Sequence, residues 1–225
     1  MGLGRTFLLD LIELKRSGAL DRAQTLIEIG DQQISDPFIL SPELEDLCKL
    51  FQCQRPPFLR PVGEENFTDL APSSGDFWRA LGFDKKAIDI KGNAIRIDLN
   101  HDTVPSSLRN KFDLLLNLGT SEHVANQGNA FQIMHDLVHI GGVMYHEVPA
   151  GGLIDHGFVA YQPKFFHALC RENDYELIFL KLTAWGNSNL PVQYHRSGSQ
   201  NSVTDCSLRV AIRKRRNHAF TYPLD

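Results

Sequence analysis

The stretch "FDLLLNLGTSEHV", residues 112–124, decides the fold of this chain. Its first half is an almost unbroken apolar run, which is typical of a strand buried on both faces of a sheet. Polar side chains then crowd into the exit of the strand, although one glycine and one serine would suffice for a turn. Two hypotheses explain them: the cap and solvated first turn of a helix, or one wall of a binding crevice. The polar residues are Asn117, Thr120, Ser121, Glu122 and His123.

On both sides of this strand, apolar runs alternate with amphipathic helical stretches. That alternation predicts an α/β fold with a mostly parallel sheet flanked by helices. The last two runs have no helix between them, so we expect an antiparallel C-terminal hairpin. The three residues "KGN" at 91–93 separate two further runs, and so short a link on its own indicates a hairpin and not a parallel crossover. The predicted strands lie in "AQTLIEIG", "AIDIKGNAIRIDLNHD", "FDLLLNLG", "GGVMYHEVP", "YELIFLKLTAW" and "CSLRVAIRKR".

The length of 225 residues fits one domain, and we predict a single domain over 1–225. Apolar side chains at helical spacing predict an N-terminal helix within 1–20. Residues 31–74 interrupt the alternation with a second helix and a Pro-rich stretch. We expect this segment to be a helical and irregular insertion that covers the crevice.

The charge balance argues against nucleic acid as the principal partner. The formal net charge is -4 and the pI is near 6.1. The basic cluster "RKRRNH" at 213–218 is typical of the solvated end of a strand. No apolar run reaches the roughly 20 residues that a membrane-spanning helix needs, so we expect no membrane partner.

The cysteines and one histidine pair were considered as metal ligands. The four cysteines stand in apolar surroundings without zinc-type pairing, which predicts reduced thiols and a cytoplasmic location. His135 and His139 are four residues apart and would share one face of a helix, but that helix offers no suitable third ligand. The sequence therefore predicts no metal site.

Several predicted strands finish in a carboxylate, an amide or an imidazole. If the strands are parallel, these ends meet at one edge of the sheet and form an acidic mouth. No G-x-G-x-x-G follows the first strand and no G-x-x-x-x-G-K-[ST] occurs, which disfavours a dinucleotide and excludes a P-loop. The ligand that remains is a nucleoside without phosphates that carries a cation. The strand-end residues are Glu28 with Gly30, Asp89, Asp98 with Asn100, Asn117 with Glu122 and His123, and His146 with Glu147.

At these motifs the chain resembles the class I S-adenosylmethionine-dependent methyltransferases, which have a Rossmann-like sheet. The resemblance runs from about residue 24 to 170 and is carried by "TLIEIGDQQ", "AIDI", "RIDLN", "FDLLLNLGTSEHV" and "LVHIGGVMYHEVP". It implies S-adenosylmethionine as cofactor and methyl transfer to an O or N atom of a small-molecule acceptor. The cofactor-binding residues that it implies are Glu28, Gly30, Asp31, Gln32, Asp89, Asp98, Leu99, Asn117 and Leu118.

Three histidines near the predicted mouth are candidates for a general base that takes a proton from the acceptor. His123 follows the central strand, and His146 ends the next one. His156 lies in the glycine-rich "AGGLIDHGFVAYQP", a composition that suits a loop closing over substrate. A helix cap at His123 and an ordinary turn at His156 are the alternatives.

Two other functions stay open at this point. The first motif has one glycine where the family usually has two or three, so a catalytically silent relative acting as a binding or scaffold subunit is the first alternative. A nucleotide-sugar enzyme that uses the acidic mouth with a divalent metal is the second. The sequence does not identify the acceptor, and it leaves open whether the chain forms a homo-oligomer.

Overall fold

The computed structural model describes residues 2–34, 41–56, 74–184 and 205–224. The strands in these ranges are β1 Thr25–Ile29, β2 Asp84–Asp89, β3 Ile95–Arg96, β4 Phe112–Leu118, β5 Val138–Gly151, β6 Tyr175–Ala184 and β7 Cys206–Lys214. The helices are α1 Arg5–Arg16, α2 Glu43–Leu50, α3 Gly75–Ala80, α4 Gln127–Leu137 and α5 Pro163–Asn173, with a 3-10 turn at Ser121–His123. None of the described helices is long and apolar enough to cross a membrane.

The seven described strands form one sheet in the order β3-β2-β1-β4-β5-β7-β6. The pairs from β3 through β5 are parallel, and β7 pairs antiparallel with both β5 and β6. The predicted fold class is therefore confirmed, including the antiparallel pair at the C-terminus.

The hairpin suggested by "KGN" is wrong, because β2 and β3 are parallel. Only two residue pairs join them, Ile88 with Ile95 and Asp89 with Arg96. β3 pairs only with the last two residues of β2, so the chain does not have to return to the start of β2 before β3 begins. A short loop that contains Gly92, with φ +70°, therefore connects the two strands.

Apolar layers on both faces of the sheet explain the unbroken apolar run in β4. Leu114 and Leu116 pack into the core under α1, α2 and α3, whereas Leu115 packs into the core under α4 and α5. Successive residues of a strand point to opposite faces of the sheet. A strand that is covered by helices on both faces is therefore apolar on both faces.

The predicted insertion at 31–74 is only partly within the described residues, because 35–40 and 57–73 lie outside them. The described part contains α2, whose apolar side chains Leu44 and Leu47 pack into the same core as α1. The N-terminal helix, predicted within 1–20, occupies Arg5–Arg16. That the insertion covers the crevice stays a prediction.

His135 and His139 do not share a helix face, which corrects the prediction made for that pair. α4 ends at Leu137, and His139 belongs to β5, where its Nε2 lies 2.6 Å from Asp113 Oδ1. His135 is buried, with Nδ1 at 2.5 Å from the Tyr175 hydroxyl and Nε2 at 2.8 Å from a backbone carbonyl. Burial lowers the pKa of His135 to about 4.

This depressed pKa predicts acid destabilisation through His135. An unfolded histidine binds its proton near pH 6.5 while the folded one does not until about pH 4, so the unfolded state gains protons as the pH falls through that window. The free energy of unfolding then falls by at most about 1.4 kcal/mol for each pH unit of acidification. Urea unfolding at several pH values between 4 and 7 measures the slope.

The His135→Gln variant should have a shallower pH slope than the wild-type chain. His167→Gln is the matched control, because His167 is exposed on α5 and should leave the slope as it is. Equal slopes in the wild type and in His135→Gln would contradict the assignment.

Candidate functional site

A cavity of about 410 Å³ opens at the carboxyl ends of β1, β2 and β4. This volume lies within the roughly 300–1,000 Å³ of small-molecule sites. Ile29 pairs with both Ile88 and Asn117, so the three strands end level with one another and their following turns surround one space. Among the residues that the sequence placed at the mouth, those that line the cavity are Gly30, Asp31, Gln32, Asp89, Asp98, Leu99, Asn100, Thr120 and His123.

Gly30 shapes the turn after β1. Its φ is +79°, and a Cβ built there would lie 2.5 Å from Thr120 Oγ1. That hydroxyl cannot simply rotate away at no cost, because it donates a hydrogen bond of 2.7 Å to the Ile29 carbonyl. Only glycine therefore combines this backbone conformation with the close approach of the segment after β4.

Asp89 stands at the tip of β2 and borders the cavity. Its two carboxylate oxygens accept hydrogen bonds from the backbone N–H groups of Asp31, at 3.2 Å, and Lys91, at 3.0 Å. The side chain is half-buried, so it is oriented by the protein and still open to a ligand. Asp31 is itself paired with Lys85, whereas no side-chain cation within the described ranges forms an ion pair with Asp89.

Asp98 and Leu99 form another part of the cavity wall. Hydrogen bonds from the backbone and side-chain N–H groups of Asn100 lower the pKa of the Asp98 carboxyl. Asn100 also accepts bonds from the backbone N–H groups of Ala125 and Asn126, at 3.1 and 3.0 Å. This wall is therefore fixed to the segment that precedes α4.

Glu28 does not line the cavity, which corrects its assignment as a cofactor contact. Its side chain is fully buried and accepts from Ser74 Oγ at 2.7 Å, Trp78 Nε1 at 2.8 Å and the Gln32 backbone N–H at 3.0 Å. Lys85 Nζ lies 3.0 Å from Glu28 Oε2. Burial raises the pKa of the Glu28 carboxyl, whereas the charge of Lys85 acts to lower it. Glu28 is thus a positioning residue that holds α3 and the Gly30 turn onto β1.

Asn117 and Leu118 are also buried, and the cavity lining begins one residue later, at Gly119. The Asn117 amide donates to Ser121 Oγ at 2.8 Å and accepts from the Ser121 backbone N–H at 3.2 Å. Asn117 therefore holds the 3-10 turn in place, and its side chain does not reach a ligand in the cavity.

His146 is not at the mouth, so its assignment as a general base is wrong. The ring is fully buried between Phe131 and Phe166, and Nδ1 lies 3.2 Å from Asn117 Nδ2. Burial lowers the pKa of His146 to about 3. A strand residue that points into the apolar layer has no path to an acceptor.

His123 and His156 come together around Glu122, which the sequence placed at the mouth without giving it a catalytic or cofactor-binding role. His123 lines the cavity and is half exposed, and its ring centroid is 5.2 Å from that of His156. Glu122 Oε1 lies 3.5 Å from His156 Nε2 and 3.9 Å from His123 Nε2. The polar exit of β4 is therefore one wall of a crevice. The helix-cap alternative is wrong, because Asn126 caps α4 through a bond from the Asn129 N–H.

The close approach at Gly30 predicts a specific cost for Gly30→Ala. A left-handed alanine costs roughly 1–2 kcal/mol, and forcing a methyl group against Thr120 adds about 1–3 kcal/mol. Gly82→Ala is the matched control, since Gly82 has φ +87° but nothing within 4 Å of its Cβ position. Urea unfolding should show a greater loss of unfolding free energy for Gly30→Ala than for Gly82→Ala. Equal losses would contradict the claim that the contact with Thr120 requires glycine at position 30.

No family model and no curated protein matches this chain. The fold does match solved structures. One is the 1,6-didemethyltoxoflavin-N1-methyltransferase of Burkholderia thailandensis with bound 1,6-didemethyltoxoflavin and S-adenosylhomocysteine, at 10% identity, 93% of this chain, 78% of that chain and a TM-score of 0.53. Another is the StiE O-MT segment, at 11% identity, 94% of this chain, 75% of that chain and a TM-score of 0.50. The chain has the Rossmann-like fold of the class I S-adenosylmethionine-dependent methyltransferases.

Proposed function

We propose that the chain is an S-adenosylmethionine-dependent methyltransferase acting on an O or N atom of a small-molecule acceptor. The observation that carries the proposal is Asp89, an oriented carboxylate at the tip of β2 that faces a cavity beside the Gly30 turn. A carboxylate at the end of the second strand is the usual partner of ribose hydroxyls in nucleotide-binding sheets.

The rest of the cavity fits the other parts of such a nucleoside. Ile90, which is 55% exposed at the rim, would pack against the adenine together with Leu99. Asp98 would border the same ring. The backbone at Gly30 and Gly119 would lie by the amino-acid end, where the approach is closest.

The charges of the cavity suit a cationic nucleoside. Among the described residues, three carboxylates line it, Asp31, Asp89 and Asp98, together with the amine of Lys91. S-adenosylmethionine, when bound, supplies an electrophilic methyl group on a positively charged sulfur. The chain's own contribution is to orient the two reactants and exclude water, and such positioning is worth roughly 7–11 kcal/mol in favourable systems.

A small molecule is the acceptor class that these features favour. His123 and His156 would meet it at the side of the cavity that lies beyond β4. The Burkholderia thailandensis neighbour is a methyltransferase that was solved with a small molecule bound. The net charge of -4 argues against nucleic acid as the principal partner, and the four free cysteines accord with a reducing, cytoplasmic location.

The alternative is a catalytically silent binding or scaffold subunit, and the single glycine of the turn after β1 favours it. Cofactor binding separates the two. S-adenosylhomocysteine at a hundredfold excess over its dissociation constant should stabilise the chain by about 2.7 kcal/mol, and no thermal shift at millimolar ligand would favour the silent subunit.

Asp89→Ala tests the ribose assignment directly. Losing charge-assisted hydrogen bonds of roughly 1.5–3 kcal/mol each should weaken S-adenosylhomocysteine binding roughly 10- to 100-fold by titration calorimetry. Asp84→Ala is the control, because Asp84 is exposed at the opposite end of the same strand. The assignment fails if both variants bind the ligand as tightly as the wild-type chain.

A further inference from the structure

Two cavities adjoin the group of Glu122, His123 and His156, which we call the Glu–His–His cluster. His123 lines the 410 Å³ cavity proposed for the cofactor. His156 lines a second cavity of about 520 Å³, formed by 152–156 and Asp205. The cluster therefore contributes one histidine to the lining of each cavity.

Glu122 is in an unusual environment for a carboxylate. Its side chain is fully buried, and within the described ranges neither of its oxygens accepts a hydrogen bond. Burial raises the pKa of this carboxyl, and the residue's own backbone N–H and the two neighbouring histidines act in the opposite direction. A buried carboxylate without hydrogen bonds is costly unless it is paired with a cation or coordinates a metal.

The loop that carries His156 is fixed directly on Glu122. The backbone N–H groups of Phe158 and Val159 both donate to the Glu122 carbonyl, at 2.8 and 3.2 Å. A Cβ at Gly157 would lie 3.0 Å from both Glu122 Cγ and that carbonyl oxygen, so a larger residue would push the loop away. His156 is thereby held beside the carboxylate although it is 34 positions further along the chain.

We propose that Glu122, His123 and His156 bind a divalent metal ion, with Zn²⁺ as the best match. One carboxylate and two imidazoles form a ligand set of catalytic zinc sites, which keep a further position open. Ligands about 2.0–2.1 Å from a tetrahedral ion stand roughly 3.3 Å apart. The Glu122 oxygen is already 3.5 and 3.9 Å from the two histidine nitrogens, and all three ligand atoms lie within 4.8 Å of one another.

The coordination position that the three ligands leave open on the ion indicates which class of acceptor would bind there. This inference rests on the proposed function. A hydroxyl oxygen that binds the ion becomes easier to deprotonate, as zinc-bound water does, whose pKa falls to about 7. The hydroxyl proton passes to solvent, an oxygen lone pair forms the new O–CH₃ bond, and the electrons of the S–CH₃ bond remain on sulfur. The site would thus favour a hydroxyl-bearing small molecule over an amine.

Metal titration tests the site without any catalytic assay. The full chain, stripped with a chelator, is titrated with Zn²⁺ by calorimetry and with Co²⁺ by visible absorption. We expect one ion per chain, with Glu122→Gln and His156→Ala each weakening binding at least tenfold. His167→Ala, an exposed histidine on α5, is the matched control and should bind as the wild type does. Circular dichroism checks that each variant is folded. If Glu122→Gln does not fold, the affinity of His156→Ala for the ion decides whether the cluster is the metal site.

Two results would overturn the metal site. One is the absence of Zn²⁺ and Co²⁺ binding at millimolar ion, which would leave the cluster as an ion pair between Glu122 and protonated histidine. The other is binding that is equally tight in Glu122→Gln and His156→Ala, which would place the ion elsewhere. Catechol added to the Co²⁺-loaded chain should shift the visible bands, and unchanged bands would overturn the role in holding a hydroxyl acceptor.

The metal site and the proposed function fail separately. If the metal-free chain binds S-adenosylhomocysteine but no ion, the cluster proposal is wrong and methyl transfer stands. If the chain binds an ion through the cluster but no S-adenosylhomocysteine, the metal site is upheld and the assignment of its acceptor falls with the proposed function.

Discussion

The parallel pairing of β1 with β2 on one side and β4 on the other is the constraint on which the site depends. Because Ile29 is level with both Ile88 and Asn117, the three chains leave the sheet at one height. The turns that follow the three strands therefore lie around the same space. Gly30 lets the first turn lie against Thr120, and Asp89 projects from the second tip into the gap that remains.

A buried carboxylate keeps this edge in register. Glu28 receives donors from α3, from the turn after β1 and from Lys85 of β2, so one side chain ties three separate segments together. Such a carboxylate contributes little while all its partners are present, but removing a single partner of a buried pair costs roughly 3–5 kcal/mol. Glu28, the last residue but one of β1, is fully buried and holds the cavity's shape, whereas Asp89 is half-buried and borders the cavity.

The sequence predicted the sheet and most of the cavity lining, and it misplaced residues that it took for the end of a strand although the strand continues beyond them. Apolar runs are a reliable sign of buried strands, and the positions just after them, such as Gly30 and Asp98, do line the cavity. Asn117 and His146 were placed at the same mouth, yet both are still inside their strands and point into the packed layers. Strand alternation sets that direction, and a one-residue error in the end of a strand reverses it.

Glu122 shows what a local pattern cannot reveal. It stands in the stretch that decides the fold, but its environment is created by Gly157 and His156, which belong to the loop after β5. The most direct measurement of the central claim is a crystal structure of the chain with S-adenosylhomocysteine. The account predicts the ribose hydroxyls on the Asp89 carboxylate, the adenine against Leu99, and the sulfur on the side of His123. A ligand bound away from the tips of β1, β2 and β4, or an Asp89 without contact to it, would contradict the account.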